Sequence, residues 1–349
     1  MASGGIIGWF EDVTLRDRAL VGGKGGSLGE LTRAGIAVPP GFVIRTPAFE
    51  EFLRAVEQRT PVRSRVESLP AGDLAAIQSA SQELRARWRD TPFPPALAQE
   101  MLDAHAALAA RATGADVAVR SSATTEDASD ASFAGLQDTY LWVSDADRML
   151  ERVRDCWGSL YSVESLSYRR DRGIAENVVA MAVVVQSMVD ARASGVMFTR
   201  SPTTGDRSVI TIEGAWGLGS AVVGGEVTPD RWVLGKITGE ITVRDISDKH
   251  IEHRRARGGG VESVEVDAER RRAACLSDRE LEQLRQVARQ VERHYGVAQD
   301  IEWAIDARGN LLLLQSRPET VWTPKQSAPA AQKAADPLSH VMSIFGGRQ

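Results

Sequence analysis

The segment Gln299–Glu319 narrows the possible folds more than any other part of this chain. It reads Gln299-Asp300-Ile301-Glu302-Trp303-Ala304-Ile305, then Asp306-Ala307-Arg308-Gly309, then Leu311 to Leu314 and Gln315-Ser316-Arg317. Two β-rich runs around a turn-forming Asp-Ala-Arg-Gly predict a hairpin. Strand side chains alternate, so Asp300 and Glu302 share one face while Ile301, Trp303 and Ile305 share the other. Gln315 and Arg317 share a face of the return strand. A register that pairs Glu302 near Gln315 brings an acid, an amide oxygen and a guanidinium together. Oxygen ligands suit a hard cation such as Mg2+, and a fork of donors suits a polyphosphate. An edge hairpin with a polar outer face fits the same pattern.

A chain of 349 residues, 43% hydrophobic and 26% charged, has room for two or three lobes with cores of their own. A net charge of −5 gives no reason to expect nucleic acid as a partner. The basic runs His253-Arg254-Arg255-Ala256-Arg257 and Arg270-Arg271-Arg272 lack interleaved aromatics and read as solvated faces. Cys156 and Cys275 lie far apart, without metal spacing, as in a reducing compartment. Glu11 and Asp12 follow the first short apolar patch, unlike a signal peptide, and no apolar run approaches membrane-spanning length. The cytoplasm is the expected location, with no membrane partner.

Along the chain, Val21-Gly22-Gly23-Lys24-Gly25-Gly26-Ser27 reads as a glycine-rich turn, with a helix beginning near Ser27 and a capping box to Glu30. Gly35 ends that helix, and Pro39-Pro40-Gly41 leads into a strand over residues 42–45. Amphipathic helices broken by prolines fill residues 46–113, and a strand at 117–120 opens into a polar segment from Ser121 to Gly135. A long helical stretch is expected over 146–172. The apolar run 178–189 predicts a strand buried on both faces. Further strands are expected at 195–199, 208–213, 231–234 and 240–244, with a loop-like stretch between Glu213 and Val227. A helix capped by Ser277 and Glu280 runs to Tyr295, before Gly296. Past Trp322 the chain reads as a tether, and Leu338–Phe345 is apolar enough to dock on a partner.

Several segments carry chemistry, each with a plainer alternative. Lys24 sits among glycines, which admit backbone N–H groups to a phosphate, but the P-loop spacing is absent and a simple turn fits as well. Arg120-Ser121-Ser122 has the form of a phosphate clamp under a lid, or of a surface loop after a structural arginine. The strand through Gln186 and Met188 can receive a purine, or belong to an ordinary core. Glu213, ahead of Gly214-Ala215-Trp216-Gly217-Leu218-Gly219, suits ribose hydroxyls or a turn cap. None of the five histidines has a triad-like arrangement; His340 is the nearest candidate for a phosphate carrier.

Taken in order, these motifs resemble the nucleotide-binding domain of the phosphoenolpyruvate synthase and pyruvate phosphate dikinase family, over roughly residues 5–322. The resemblance rests on Gly22-Gly23-Lys24-Gly25 with Leu28-Gly29-Glu30-Leu31, Val38-Pro39-Pro40-Gly41-Phe42, and Val119-Arg120-Ser121-Ser122-Ala123 with Thr125-Glu126-Asp127. It continues through Ser132-Phe133-Ala134-Gly135, Ser194-Gly195-Val196-Met197-Phe198-Thr199, Glu213 to Gly219, Asp300-Ile301-Glu302-Trp303 and Leu314-Gln315-Ser316-Arg317-Pro318. It implies an α+β, ATP-grasp-like two-lobed fold holding ATP and Mg2+. Lys24 and Arg120 would contact phosphates and act in catalysis, and Arg317 would stabilise charge on the transferring group. Gly135 would join the nucleotide contacts, with Gln186 and Met188 at adenine and Glu213 at ribose. Glu302 and Gln315 would bind Mg2+.

The implied organisation is an N-terminal lobe over residues 1–115, a clamp, lid and hinge segment over 116–190, a grasp lobe over 191–322 and a tail over 323–349. The swivelling phosphohistidine domain and the substrate domain usual in the family do not follow here. A split arrangement is therefore expected, like that of the phenol- and cresol-phosphorylating synthases, with the carrier histidine and acceptor site on a partner subunit. The expected reaction passes the β-phosphoryl group of ATP to that histidine and releases AMP and phosphate. Pyruvate- and antibiotic-phosphorylating relatives, a ligase that forms an acyl phosphate, and a non-catalytic nucleotide sensor are the alternatives.

Overall fold

The computed structural model describes residues 5–112, 114–124, 138–319 and Trp322. Within them the first half runs β1 (Ile7–Trp9), α1 (Arg18–Arg33), β2 (Gly41–Ile44), α2 (Thr46–Glu57), α3 (Val62–Glu67), α4 (Leu74–Asp90), α5 (Pro95–Arg111), β3 (Val117–Ala123), β4 (Thr139–Val143), α6 (Ala146–Gly158), α7 (Val163–Arg172) and β5 (Met181–Ser187). The second half continues with β6 (Ala191–Phe198), β7 (Val209–Trp216), α8 (Ser220–Val223), β8 (Asp230–Gly235), β9 (Ile241–Asp245), β10 (Ile251–Arg255), β11 (Val261–Glu265), α9 (Ala268–Arg271), α10 (Asp278–Tyr295), β12 (Gln299–Asp306) and β13 (Leu311–Pro318). The chain divides into two units, Met1–Glu319 and Thr320–Gln349. Of the second only Trp322 is described, so the expected tether and the docking segment Leu338–Phe345 with His340 lie outside the described residues.

The apolar run before Gln186 decides the first lobe. β5 is the middle strand of an antiparallel sheet in the order β1-β2-β5-β3-β4. Val183 and Val185 face a core built with Phe49, Phe52, Trp88, Trp157 and Tyr161 from the surrounding helices. Ala182 and Val184 face the other way, under α1, against Val21, Leu28 and Val43. Burial on both faces is why the run lacks polar alternation.

The glycine-rich segment is helix, where a turn was expected. α1 begins at Arg18 and carries Lys24, with a kink at Gly22 (φ 70°) and Ser27 inside the helix instead of at its cap. Each glycine costs a helix about 1 kcal/mol relative to alanine, so propensity alone favours a turn. Close packing overrides propensity: a Cβ on Gly29 would lie 2.2 Å from the Val13 carbonyl oxygen, and one on Gly22 would lie 2.1 Å from that of Ser122. Ser122 also stitches the kink, accepting from the Gly25 N–H (3.1 Å) and donating to the Val21 carbonyl (2.8 Å). The Arg120-Ser121-Ser122 motif thus holds Lys24 in place from the neighbouring strand.

The second sheet is antiparallel in the order β13-β12-β6-β7-β8-β9. Ile301, Trp303 and Ile305 pack with Ile210, Ile212 and Trp232 against Leu281, Leu284, Ala288 and Val291 of α10. That helix has the expected reciprocal cap, Ser277 with Glu280, and ends at Gly296 in the left-handed region. Among the described residues of 116–190, β3, β4 and β5 complete the sheet begun by β1 and β2. The expected helix over 146–172 is broken between Gly158 and Ser162. The basic run at 253–257 is partly strand β10, where Arg255 pairs with Asp116 at 3.0 Å and stacks over Trp142. Among the described residues no helix is long and apolar enough to cross a membrane.

Candidate active site

The closing hairpin pairs as alternation predicts, with Glu302 opposite Gln315 and Asp300 opposite Arg317. Glu302 also pairs with Val196 and Val196 with Glu213, so a row from Gln315 to Glu213 crosses the sheet on the face away from α10. The ladder slips by one residue beyond Glu302, because Trp303 pairs with Leu313 and Leu314 is left over. Such a bulge withdraws a carbonyl from the ladder and re-aims it. The freed Leu314 oxygen accepts from Arg120 Nη1 at 2.8 Å.

Arg120 ties the two sheets together. Its Nη2 donates to Glu302 Oε2 at 3.0 Å and to Gln315 Oε1 at 2.6 Å, and the residue is only 7% exposed. On one side of this cluster lies a cavity of about 400 Å³, walled by Arg120, Glu302, Leu314, Gln186, Met188, Val189, Leu141, Ser194, Leu218 and Ser220. On the other lies a smaller one of about 110 Å³, walled by Lys24, Arg18, Ser27, Tyr295, Gln315 and Arg317. Lys24 and Arg317 come to one chamber because Ser27 of α1 donates its hydroxyl to the Ser316 carbonyl at 2.5 Å. Arg317 is oriented by Asp300, whose Oδ2 lies 2.8 Å from Nε and 2.7 Å from Nη2.

Burial pushes the Asp300 carboxyl above its usual range, and Arg317 only partly offsets this. A raised folded value means that the fold binds the proton more tightly than the unfolded chain does. Stability therefore falls as pH rises through the window from the unfolded value to the folded one, and stays lowered above it. Asp300→Asn is accordingly expected to raise Tm at pH 7, by on the order of 1–3 °C, while loosening Arg317. A pair of melting curves at pH 4 and pH 7 checks this: the gain should shrink at the lower pH.

Lys24, Arg120, Glu302, Gln315, Arg317, Gln186 and Met188 all line one or the other cavity. Glu213 lines neither; Val196 stands between it and Glu302, and the wall near it is made by Ser194, Gly195, Leu218 and Ser220. The strand edge is also less open than a purine hinge needs at Ser187 and Met188. Their N–H groups already donate to the carbonyls of Pro40 (2.9 Å) and Asp116 (3.0 Å), and the Gln186 amide donates to the Pro39 carbonyl at 3.3 Å. Gly135 lies outside the described residues.

Comparison with known proteins decides the family. The model for the pyruvate phosphate dikinase AMP/ATP-binding domain matches residues 18–337. The chain belongs to this family. It is 41% identical over 316 residues to a probable phosphoenolpyruvate synthase of Methanothermobacter thermautotrophicus, covering 90% of this chain and 46% of that protein. It is 39% identical over 358 residues to the phosphoenolpyruvate synthase of Aeropyrum pernix, covering 94% and 44%. A rifampicin phosphotransferase of a Streptomyces species is 39% identical over 323 residues, covering 92% and 37%. The chain therefore spans less than half the length of these relatives. Among solved structures, D-cycloserine synthetase DcsG aligns over 87% of the chain and 63% of its own length at 12% identity and a TM-score of 0.27, too low to bear on the fold.

In this AMP/ATP-binding domain, sequence reasoning did not reach Ser220, which lines the larger cavity. Its Oγ lies 2.8 Å from His253 Nδ1, and His253 Nε2 lies 3.3 Å from Glu226 Oε2. His253 is 33 residues from Ser220 and 27 from Glu226, and no local pattern joins it to them. Asp300 was placed on the right face by alternation, but only the register with Arg317 reveals its partner. Among the described residues no cluster of three or more His, Cys, Asp or Glu could hold a metal alone. A Mg2+ ion takes few protein ligands and completes its shell with water and phosphate, and the paired oxygens of Glu302 and Gln315 fit that habit.

Proposed function

We propose that this chain is the ATP-handling subunit of a dikinase-type phosphotransferase with an ATP-grasp-like fold. It binds Mg-ATP between its sheets and passes the β-phosphoryl group to a histidine on a partner subunit; the bond to AMP breaks as the bond to histidine forms, and water takes the γ-phosphoryl group, so that AMP and phosphate are the other products. The observation that carries this reading is the meeting of Lys24, Arg120, Glu302, Gln315 and Arg317, from distant segments, around two adjoining chambers. The larger chamber takes the base against Gln186 and Met188, and the smaller takes the terminal phosphates beside Lys24 and Arg317.

Glu302 and Gln315 hold the metal, which when bound neutralises charge on the phosphates. Lys24, in the first turn after the kink at Gly22, adds an ammonium and helix N–H groups to the phosphate site. Arg317, steadied by Asp300, faces the charge that grows on the transferring group. Positioning and fixed donors of this kind supply most of what phosphoryl transfer requires.

The partner carries the phosphohistidine and binds the final acceptor, which we place in the class of phenolic aromatic alcohols, in the cytoplasm. The rifampicin phosphotransferase relative supports a second reading in which a larger hydroxylated compound accepts the phosphoryl group, by the same nucleotide chemistry. The experiment is to incubate the chain with ATP and Mg2+, with and without the partner, and to separate the nucleotides. AMP with phosphate, formed only when the partner is present, is the expected result. ADP alone, or full turnover without the partner, rejects the dikinase reading.

A further inference from the structure

Arg120 is bonded to the two groups that the reading above gives to the metal. One nitrogen, Nη2, faces both Glu302 Oε2 (3.0 Å) and Gln315 Oε1 (2.6 Å), while Nη1 is held by the Leu314 carbonyl (2.8 Å). The Nε–H is buried and has no hydrogen-bond partner. A buried Nε–H without an acceptor leaves the guanidinium one further hydrogen bond to make, because no water reaches it. This one holds two carbonyl-type oxygens and a carboxylate oxygen, yet is a donor short.

Its place in the fold adds a second constraint. Arg120 leaves β3 of the first sheet and ends on β12 and β13 of the second. Glu302 lines the larger cavity and Gln315 the smaller, with Arg120 bonded to both. A polyphosphate lying from one chamber to the other must pass this side chain.

We propose that Arg120 is a place-holding cation. It occupies the oxygens of Glu302 and Gln315 until a metal–nucleotide pair arrives. It then gives up those oxygens and turns its fork to phosphate, where Nε–H gains an acceptor. The inference rests on the Mg-ATP reading and adds to it that arginine and metal compete for the same lone pairs. A metal without nucleotide must displace the guanidinium unaided and binds weakly. A nucleotide that draws Arg120 away relieves that competition, so the two ligands favour each other through this residue.

The test is a calorimetric titration of Mn2+, as a stand-in for Mg2+, into the nucleotide-free protein. Wild type is compared with Arg120→Met, Arg120→Gln, Glu302→Gln and the double variant Arg120→Met/Glu302→Gln, with circular dichroism to confirm folding. Two replacements of Arg120 are used so that a folding defect in one leaves the other readable. Arg120→Met and Arg120→Gln should bind Mn2+ about tenfold or more tighter than wild type. The gain should vanish in the double variant. If neither single variant binds Mn2+ more tightly, while Glu302→Gln weakens binding, the place-holding role is overturned and the metal site stands. If Mn2+ binding ignores Glu302 in every variant, with or without ADP, the metal–nucleotide reading fails and this inference falls with it.

Discussion

Arg317→Ala should slow partner-dependent ATP consumption by about 10²–10³-fold while leaving the melting temperature within about 2 °C of wild type. The side chain is half exposed and screened by solvent, so the loss of its partial offset to the buried Asp300 carboxylate costs little stability. Its contribution lies instead in where the fork points. Asp300 holds it by two nitrogens, at 2.7 and 2.8 Å, beside the Glu302–Gln315 pair and in the chamber that contains Lys24. A donor fixed before the reaction needs no reorganisation when charge moves onto the transferring group, so its loss appears in kcat more than in nucleotide affinity. Arg317→Lys keeps the charge but loses the planar fork and should fall between the two. Steady-state rates with the partner, together with ATP affinity by calorimetry, separate these cases. Unchanged turnover in Arg317→Ala contradicts the role given to Arg317, whereas a non-catalytic nucleotide sensor shows no turnover in wild type and keeps its partner binding in the variant.

Gly22→Ala is expected to destabilise the protein by about 3 kcal/mol, combining the strain of a backbone region (φ 70°, ψ −179°) that essentially only glycine adopts with overlap. Gly22 has φ 70°, and a Cβ there would lie 2.1 Å from the Ser122 carbonyl oxygen and 2.3 Å from its hydroxyl. Relief requires β3 and α1 to move apart, which breaks the Ser122 bonds to Val21 and Gly25 and shifts both Lys24 and Arg120. Gly35→Ala is the control: its φ is 69°, but nothing lies within 4 Å of the added carbon, so only the strain of about 1–2 kcal/mol remains. Denaturant melts of the two variants should differ by the overlap together with the extra backbone strain at Gly22. Nucleotide affinity should drop in the first and hold in the second.

The parts of this fold that were legible in sequence are those fixed by local rules. The closing hairpin follows from alternation and from Asp306-Ala307-Arg308-Gly309, where Asp306 accepts from the Arg308 and Asn310 backbone and Gly309 takes φ 83°. α10 follows from its capping box and the C-terminal glycine. What sequence could not supply depends on distant backbone. The glycines of α1 look like a turn until Val13 and Ser122 are seen against them. β4 is hidden because its ladder with β3 is irregular, with Val117 opposite Val143 and Val119 opposite Tyr140, and Trp142 at φ 55°. β10 and β11 carry too many charges to alternate, and the β10 residues Arg255 and Arg254 pair with Asp116 and Glu252.

The same division runs through the site. Alternation put Asp300 with Glu302 and Gln315 with Arg317, the register of β12 and β13 brought the two pairs to one face, and the β-bulge at Leu314, which no local motif announces, turned its carbonyl toward Arg120. The position of Glu213, one strand beyond Val196, needed the register of three strands.

The central claim is that a metal-bound triphosphate lies across the Arg120–Glu302–Gln315 cluster, and a crystal structure with Mg2+ and a non-hydrolysable ATP analogue tests it most directly. The account predicts the base in the larger cavity against Gln186 and Met188, the ion between Glu302 and Gln315, and the terminal phosphate beside Lys24 and Arg317. A nucleotide bound elsewhere, or an ion with Glu302 and Gln315 turned from it and still bonded to Arg120, would contradict it.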